Sequence, residues 1–274
     1  MVRLRAFIDS LPSSNASNIL KVAFDSIVID CSNRKRDGNG LKKRESRICN
    51  VANYFEEKVL LIIEDIVAES DTQLLQGHCL YGSATSLADV YHKYFPNTPA
   101  GAIIFSPPYA NSFDYFESYK LELVFGGYAS NIKDINKLRK YAVRSFIGAS
   151  SQTEGNQYVN LLAEEIEKAI PTKEQETGKR DTRTRKVPNM IRGYFADMYE
   201  VIAQCSKVLD SGKKTFIVVD QSAYCGVIVP TDLILSYFGE LEGFKVEKII
   251  ECRKARTSTQ QLNKYPYLKT ALRE

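Results

Sequence analysis

Apolar residues recur along this chain in two rhythms that alternate. Over residues 51–70, Phe55, Val59, Ile62, Ile63, Ile66 and Val67 fall on one side of a 3.6-residue helix, with Glu56, Glu57, Glu64, Asp65 and Glu69 mainly opposite. That spacing predicts an amphipathic helix. Residues 79–81 read as a short strand closing at Gly82, after which Thr85 or Ser86 caps a helix running to Phe95. Pro96 and Pro99 bracket a turn. The run Gly101-Ala102-Ile103-Ile104-Phe105 is continuously apolar and stops at Ser106-Pro107-Pro108-Tyr109, the pattern of a strand buried on both faces of a parallel sheet.

Residues 112–125 are aromatic-rich at helical spacing and halted by Gly126-Gly127. The stretch 128–189 has another character: polar and basic, with one amphipathic helix at 158–170 and a loop rich in lysine and arginine after Pro171. It reads as an insertion and a candidate target-recognition region. A long helix follows at 191–209 with Ser211-Gly212 as its stop, then a buried strand at 215–220. Pro230-Thr231-Asp232 opens a helix to Glu242, Asp232 being its expected cap, and residues 244–252 return as a strand. Strand and helix in alternation predict an open, largely parallel α/β sheet, built from 1–127 and 190–274 and interrupted by 128–189. No internal repeat is evident.

Composition sets few further bounds. With 274 residues, 26% charged and 44% hydrophobic, the chain suits one large globular domain or one plus an insertion. No apolar run approaches the ~20 residues needed to cross a bilayer, and Met1 to Arg5 lacks the apolar stretch of a signal peptide, so a cytoplasmic protein without membrane contact is expected. The six cysteines form no Cys-x-x-Cys pair, and only His78 and His92 add imidazoles, so no metal site is expected. The apolar neighbours of Cys79, Cys205 and Cys252 point to buried, reduced thiols. Net charge is only +4, but the cations cluster: Arg34, Lys35, Arg36, Lys42, Lys43, Arg44 and Arg47; then Lys179, Arg180, Arg183, Arg185 and Lys186; then Arg253, Lys254 and Arg256. One such run is ordinarily a solvated face. Three, each beside a turn or strand end, point to a polyanion.

The chemistry concentrates at Ser106-Pro107-Pro108-Tyr109. Ligands of an open α/β sheet gather at the carboxyl ends of its strands, where this turn is expected. Two prolines fix φ and remove two N–H donors, so the turn presents carbonyl oxygens rather than a nest for phosphate. Carbonyls on a rigid turn suit a ligand that donates, such as the exocyclic amino group of cytosine or adenine, and Tyr109 offers a face on which an extruded base stacks. Taken alone, the tetrapeptide reads rather as a rigid turn with a packing tyrosine.

The string Ser106-Pro107-Pro108-Tyr109-Ala110-Asn111-Ser112-Phe113-Asp114-Tyr115-Phe116-Glu117 resembles the catalytic motif of DNA amino-methyltransferases acting on cytosine N4 or adenine N6. Residues 32–41, residues 226–232 and Ser258-Thr259-Gln260-Gln261 extend the resemblance over most of the chain. It implies an incomplete Rossmann-like methyltransferase sheet, S-adenosylmethionine as cofactor, catalytic roles for Ser106, Pro107, Pro108 and Tyr109, and direct methyl transfer to nitrogen in duplex DNA within a restriction-modification system. A leading Ser leans toward cytosine N4. DNA contacts are expected at Asn33, Arg34, Lys35, Arg36, Arg253 and Arg256, and cofactor contacts at Gly82, Ser83 and Ala84, where Ser83 replaces a common acidic residue. Asp114, Asp220 and Asp232 are the carboxylates nearest the expected cleft, none of them assigned as a base. The family's glycine-rich cofactor turn, Asp-Pro-Phe-x-Gly-x-Gly-Thr, is missing from the sequence. This implies a split enzyme whose second subunit supplies it, in preference to a decayed paralogue; the rival function is a silent DNA-binding or specificity subunit.

Overall fold

The computed structural model describes residues 1–38, 40–45, 50–69, 77–150, 155–254 and 259–273. In chain order the elements begin with α1 (Val2–Ser10), α2 (Asn15–Ile27), β1 (Arg34–Asp37), β2 (Gly40–Lys43), α3 (Val51–Ala68), α4 (Leu87–Tyr94) and β3 (Ala100–Phe105). They continue with α5 (Tyr115–Ser118), α6 (Lys120–Phe125), α7 (Ile132–Arg139), α8 (Gln157–Thr177) and α9 (Val187–Val208). Last come β4 (Leu209–Ile217), β5 (Ser222–Tyr224), β6 (Val227–Val229), α10 (Thr231–Leu241), α11 (Thr259–Lys264) and α12 (Leu268–Ala271). Mixed helix and small sheets make this an α/β chain.

Two compact units form: Met1–Cys79 with Asp114–Lys140, and Leu80–Phe113 with Tyr141–Glu274. The segment 128–189 is shared between them, α7 lying in the first and α8 in the second.

In the first unit, Ser14 and Ser17 close a capping box that fixes the start of α2. Phe24 and Val28 then meet Ile8 of α1 in a small buried cluster, with Leu20, Phe55 and Leu121 against it. The predicted helix at 51–70 is present as α3, capped by the Asn50 side chain. Its expected apolar face is only half realised: Phe55, Val59 and Ile62 are half-buried, whereas Ile63, Ile66 and Val67 are exposed. Apolar periodicity reports a face that wants covering, and the described residues cover only its first half. The single helix expected over 112–125 is two, α5 and α6, broken at Tyr119.

In the second unit, α9 is the spine. Pro188 in its first turn needs no N–H partner, and Tyr194, Phe195, Met198, Ile202 and Cys205 are buried along its length. Helix α8 adds Val159, Ala163, Ile166 and Ile170, and α10 adds Ile234, Leu235 and Phe238, whose ring meets Phe195 and Tyr199 edge-on. The loop expected after Pro171 begins later, because α8 runs through the proline to Thr177 and stops at left-handed Gly178. Beyond it, Asp181 accepts from Lys173 Nζ (2.6 Å) and Thr184 Oγ1 (2.6 Å), and Glu174 takes the Arg185 guanidinium at 2.5 and 2.8 Å. The loop is thus tied to the last turns of α8.

Strands β3 and β4 pair in parallel, Ile103 to Thr215, Ile104 to Phe216 and Phe105 to Ile217. Here the expectations need correction. Ile104 is 73% exposed and Phe216 52%, so β3 is not covered on both faces. Residues 79–81 and 244–252 are not strands, since a ladder needs a neighbour and β3 and β4 pair only with each other among the described residues. Helix α9 ends at Val208, and Ser211-Gly212 lies inside β4. There the register shifts, with Ala100 opposite Leu209 but Ala102 opposite Lys214. No helix among the described residues is long and apolar enough to cross a membrane.

Candidate active site

Ser106-Pro107-Pro108-Tyr109 leaves the carboxyl end of β3, the position expected from its pattern. The site is anchored on both sides. Phe105 O accepts from Val218 N (3.0 Å), and Ser106 Oγ donates to Val218 O (3.1 Å), stitching the strand end to the residue after β4. Pro107 is buried, Pro108 and Tyr109 half-buried, and Ala110 fully buried. Among the described residues nothing donates to the carbonyls of Ser106, Pro107 or Pro108. With no N–H on either proline, the turn is a surface of acceptors on fixed backbone.

Its far end is held by a hairpin that sequence reasoning missed. Ala110 O accepts from Ser222 Oγ (2.7 Å) and from Tyr224 Oη (2.9 Å), and Tyr224 Oη lies 2.7 Å from Ser112 Oγ. Burial, the largest cause, pushes the Tyr224 phenol above its ordinary value, partly offset by the Ser112 hydrogen bond. It therefore stays a neutral donor. Ser112 itself has φ 62°, a left-handed backbone that bends the chain out of the turn. The readable signal was the two-residue Cys225-Gly226 connection between Ser222-Ala223-Tyr224 and Val227-Ile228-Val229. Both connecting residues have positive φ, 52° and 84°, as a tight hairpin turn requires.

The other expected site residues fall as follows. Ser83 caps the helical turn Ala84–Ser86 by accepting from Thr85 N (3.4 Å), with its hydroxyl 2.8 Å from Thr85 Oγ1. A Cβ on Gly82 would lie 2.6 Å from Val90 Cγ2, so that glycine serves close packing on α4. No glycine-rich turn follows a strand among the described residues. Asn33, Arg34, Lys35 and Arg36 lie at and on β1 in the first unit. Arg253 is exposed, and Arg256 lies outside the described residues, as do Asn39 and Ser258 of the resembling strings.

Several smaller expectations are corrected. Asp232 does not cap α10. Pro230 holds the cap position, and Asp232, in the first turn, accepts from Gln221 Nε2 and Arg273 Nε, each at 2.7 Å. Asp114 caps α5 and pairs with Arg139 (2.8 Å) in the first unit. Cys79 and Cys252 are exposed, because the flanking strands they were assigned to do not form. Cys205 is buried in α9, where burial pushes its thiol up to about 11. No group of three or more His, Cys, Asp or Glu side chains is assembled among the described residues.

A half-buried tyrosine beside carbonyls that take no donor among the described residues, at a parallel strand end, is a class of surface chemically suited to a flat, hydrogen-bond-donating group. Comparison with known proteins narrows that class. The chain is 28% identical over 281 residues to the Type II methyltransferase M.AvaI of Nostoc sp. (strain PCC 7120 / SAG 25.82 / UTEX 2576) and to that of Anabaena variabilis. Each alignment takes in 94% of this chain. It is 29% identical over 183 residues, 60% of its length, to the Type II methyltransferase M.BsoBI of Geobacillus stearothermophilus. The chain spans 58% of the M.AvaI relatives and 35% of M.BsoBI. No family model and no solved structure matches.

Proposed function

We propose that this chain is the base-holding part of an S-adenosylmethionine-dependent DNA amino-methyltransferase, acting on cytosine N4 in preference to adenine N6. The observation that carries the reading is the row of unengaged carbonyls at Ser106, Pro107 and Pro108, fixed at one end by Val218 and at the other by Ser222 and Tyr224. An exocyclic amino group donates two hydrogen bonds, and acceptors on a rigid turn can take both while leaving the nitrogen lone pair perpendicular to the ring and open to attack. Tyr109 stacks against the extruded base. The names of the Type II methyltransferase relatives support the reaction class.

The cofactor's glycine-rich holder belongs, in this reading, to a second subunit corresponding to the length of the relatives that this chain does not span. Two features support a partner: the exposed apolar face of β3 with an edge that is unpaired among the described residues, and the half of α3 that the described residues leave exposed. The Gly82-Ser83-Ala84 turn borders the cofactor's adenine end, residues 128–189 carry target recognition, and Asn33 to Arg36, Arg253 and Arg256 contact DNA. The test is to co-express the chain with a polypeptide bearing the glycine-rich turn, supply labelled methyl donor and duplex DNA, and identify the methylated nucleoside by mass spectrometry. N4-methylcytosine is expected. N6-methyladenine corrects the base; duplex binding without methylation makes the chain a silent specificity subunit.

A further inference from the structure

Strands β1 and β2 form a two-stranded ribbon whose cross-strand partners repel. Arg34 lies opposite Lys43 and Lys35 opposite Lys42. Facing like charges destabilise a ribbon, and a lone hairpin is marginal in water to begin with. This one is fastened at both ends. Toward the tip, the Arg36 guanidinium lies 4.5 Å from the centre of the Tyr119 ring and pairs with Glu122. At the base, Arg44 Nη2 donates to the carbonyls of Ile29 (3.1 Å), Asp30 (2.8 Å) and Ser32 (3.2 Å). Between these anchors stand four exposed cations. Arg34, Lys35 and Lys43 meet no carboxylate among the described residues, and Lys42 meets only Asp37, loosely, at 3.6 Å.

From this geometry we infer that the β1–β2 ribbon is a groove-binding element for duplex DNA, with both cation pairs engaged by phosphates. The inference rests on the DNA reading above and deepens it. Directly opposed residues share a face and successive residues alternate, so Arg34/Lys43 project from one face of the ribbon and Lys35/Lys42 from the other. A flat anionic surface would engage one pair. A groove has two phosphate walls, and a ribbon standing on edge, ~10 Å thick with its side chains, offers one pair to each across a major groove ~12 Å wide. The half-buried Leu41 is the ribbon's lone apolar side chain, so nothing on it favours a lipid surface.

The experiment measures duplex affinity against salt for the chain itself, without cofactor, in two double variants, R34Q/K43Q and K35Q/K42Q. Each removes two phosphate contacts, so each slope of log affinity against log salt should flatten by about 1.8. Because both variants relieve repulsion, neither should melt below the parent. The substitution Gly38→Val keeps every charge but strains the left-handed turn (φ +55°), where a Cβ meets nothing within 4 Å, and should weaken binding as well. A slope that flattens in only one double variant means a one-sided contact, and slopes unchanged in both mean a solvated ribbon; either overturns the inference. Slopes unchanged in both double variants while the co-expressed pair still methylates would sink the ribbon alone. Failure of methylation with both slopes flattened would count against the base-holding reading alone.

Discussion

Tyr109 lies on the proline turn after β3, and Tyr224 on the β5–β6 hairpin that holds the end of that turn. Tyr109 is half-buried beside the open carbonyls, and stacking of a base on an aromatic ring contributes ~1 to 3 kcal/mol. Tyr109→Ala should therefore lower methylation by the complemented enzyme roughly 5- to 150-fold while leaving the circular dichroism spectrum unchanged; full activity in that variant would remove the loop from the chemistry. Tyr224 is buried and spends its hydroxyl on Ala110 O and Ser112. Tyr224→Phe should cost about 0.5 to 1.5 kcal/mol in a thermal melt. It should also lower kcat more than KM, because Ser222 still holds Ala110 O but more loosely. The strand end and its proline turn were legible in the sequence, since an apolar run ending in Pro-Pro admits few conformations. The clasp was not. It depends on Cys225 adopting a left-handed backbone that non-glycine residues seldom take, and on a contact across more than a hundred residues.

Among the elements, those with a full helical period were the readable ones: α3, α4, α9 and α10 lie close to where their apolar spacing puts them. Residues 244–252 show where periodicity stops being informative. A strand's pattern is written in its own side chains, but its ladder needs backbone partners, and no strand pairs with 244–252 among the described residues. The same logic predicts the behaviour of β3. Ile104 is largely exposed, so Ile104→Glu should change the isolated chain's stability by no more than ~0.5 kcal/mol, yet abolish association with a complementing subunit in size-exclusion chromatography. Retained association would mean that the subunit docks elsewhere. The loop after α8 is set by charge instead. Arg185, then the Asp181 backbone N–H, hold the Glu174 carboxyl down to about 2, below its ordinary 4.5. A depressed carboxyl stabilises the fold above its ordinary value and ceases to as pH falls through its folded value. Once corrected for its intrinsic pH dependence, amide exchange in residues 178–186 should therefore rise as pH falls from about 4.5 to 2. In Glu174→Gln that rise should be absent.

For the whole molecule, the decisive quantity is cofactor affinity with and without a partner. The sequence lacks a glycine-rich turn, and Gly82 is filled by Val90. Calorimetric titration of S-adenosylmethionine into the chain alone should therefore show no saturable binding, and titration into the co-expressed pair should show one site. Tight binding by the chain alone would overturn the two-subunit reading. The interface of such a pair should be large, above ~2,000 Å², as obligate assemblies are.

The irregularity in β4 has a practical reach. Residues 210–213 stand opposite the single Gly101, and Gly212, left-handed at φ +73°, has open space around it. Downstream, Lys214 to Ile217 keep strict step with Ala102 to Phe105. Length is thus absorbed at the strand's entrance and its exit stays fixed. A short peptide grafted at Gly212 would lengthen an excursion already made, at a closure cost that grows only logarithmically. That makes Gly212 the place to install a fluorescent reporter without moving the proline turn.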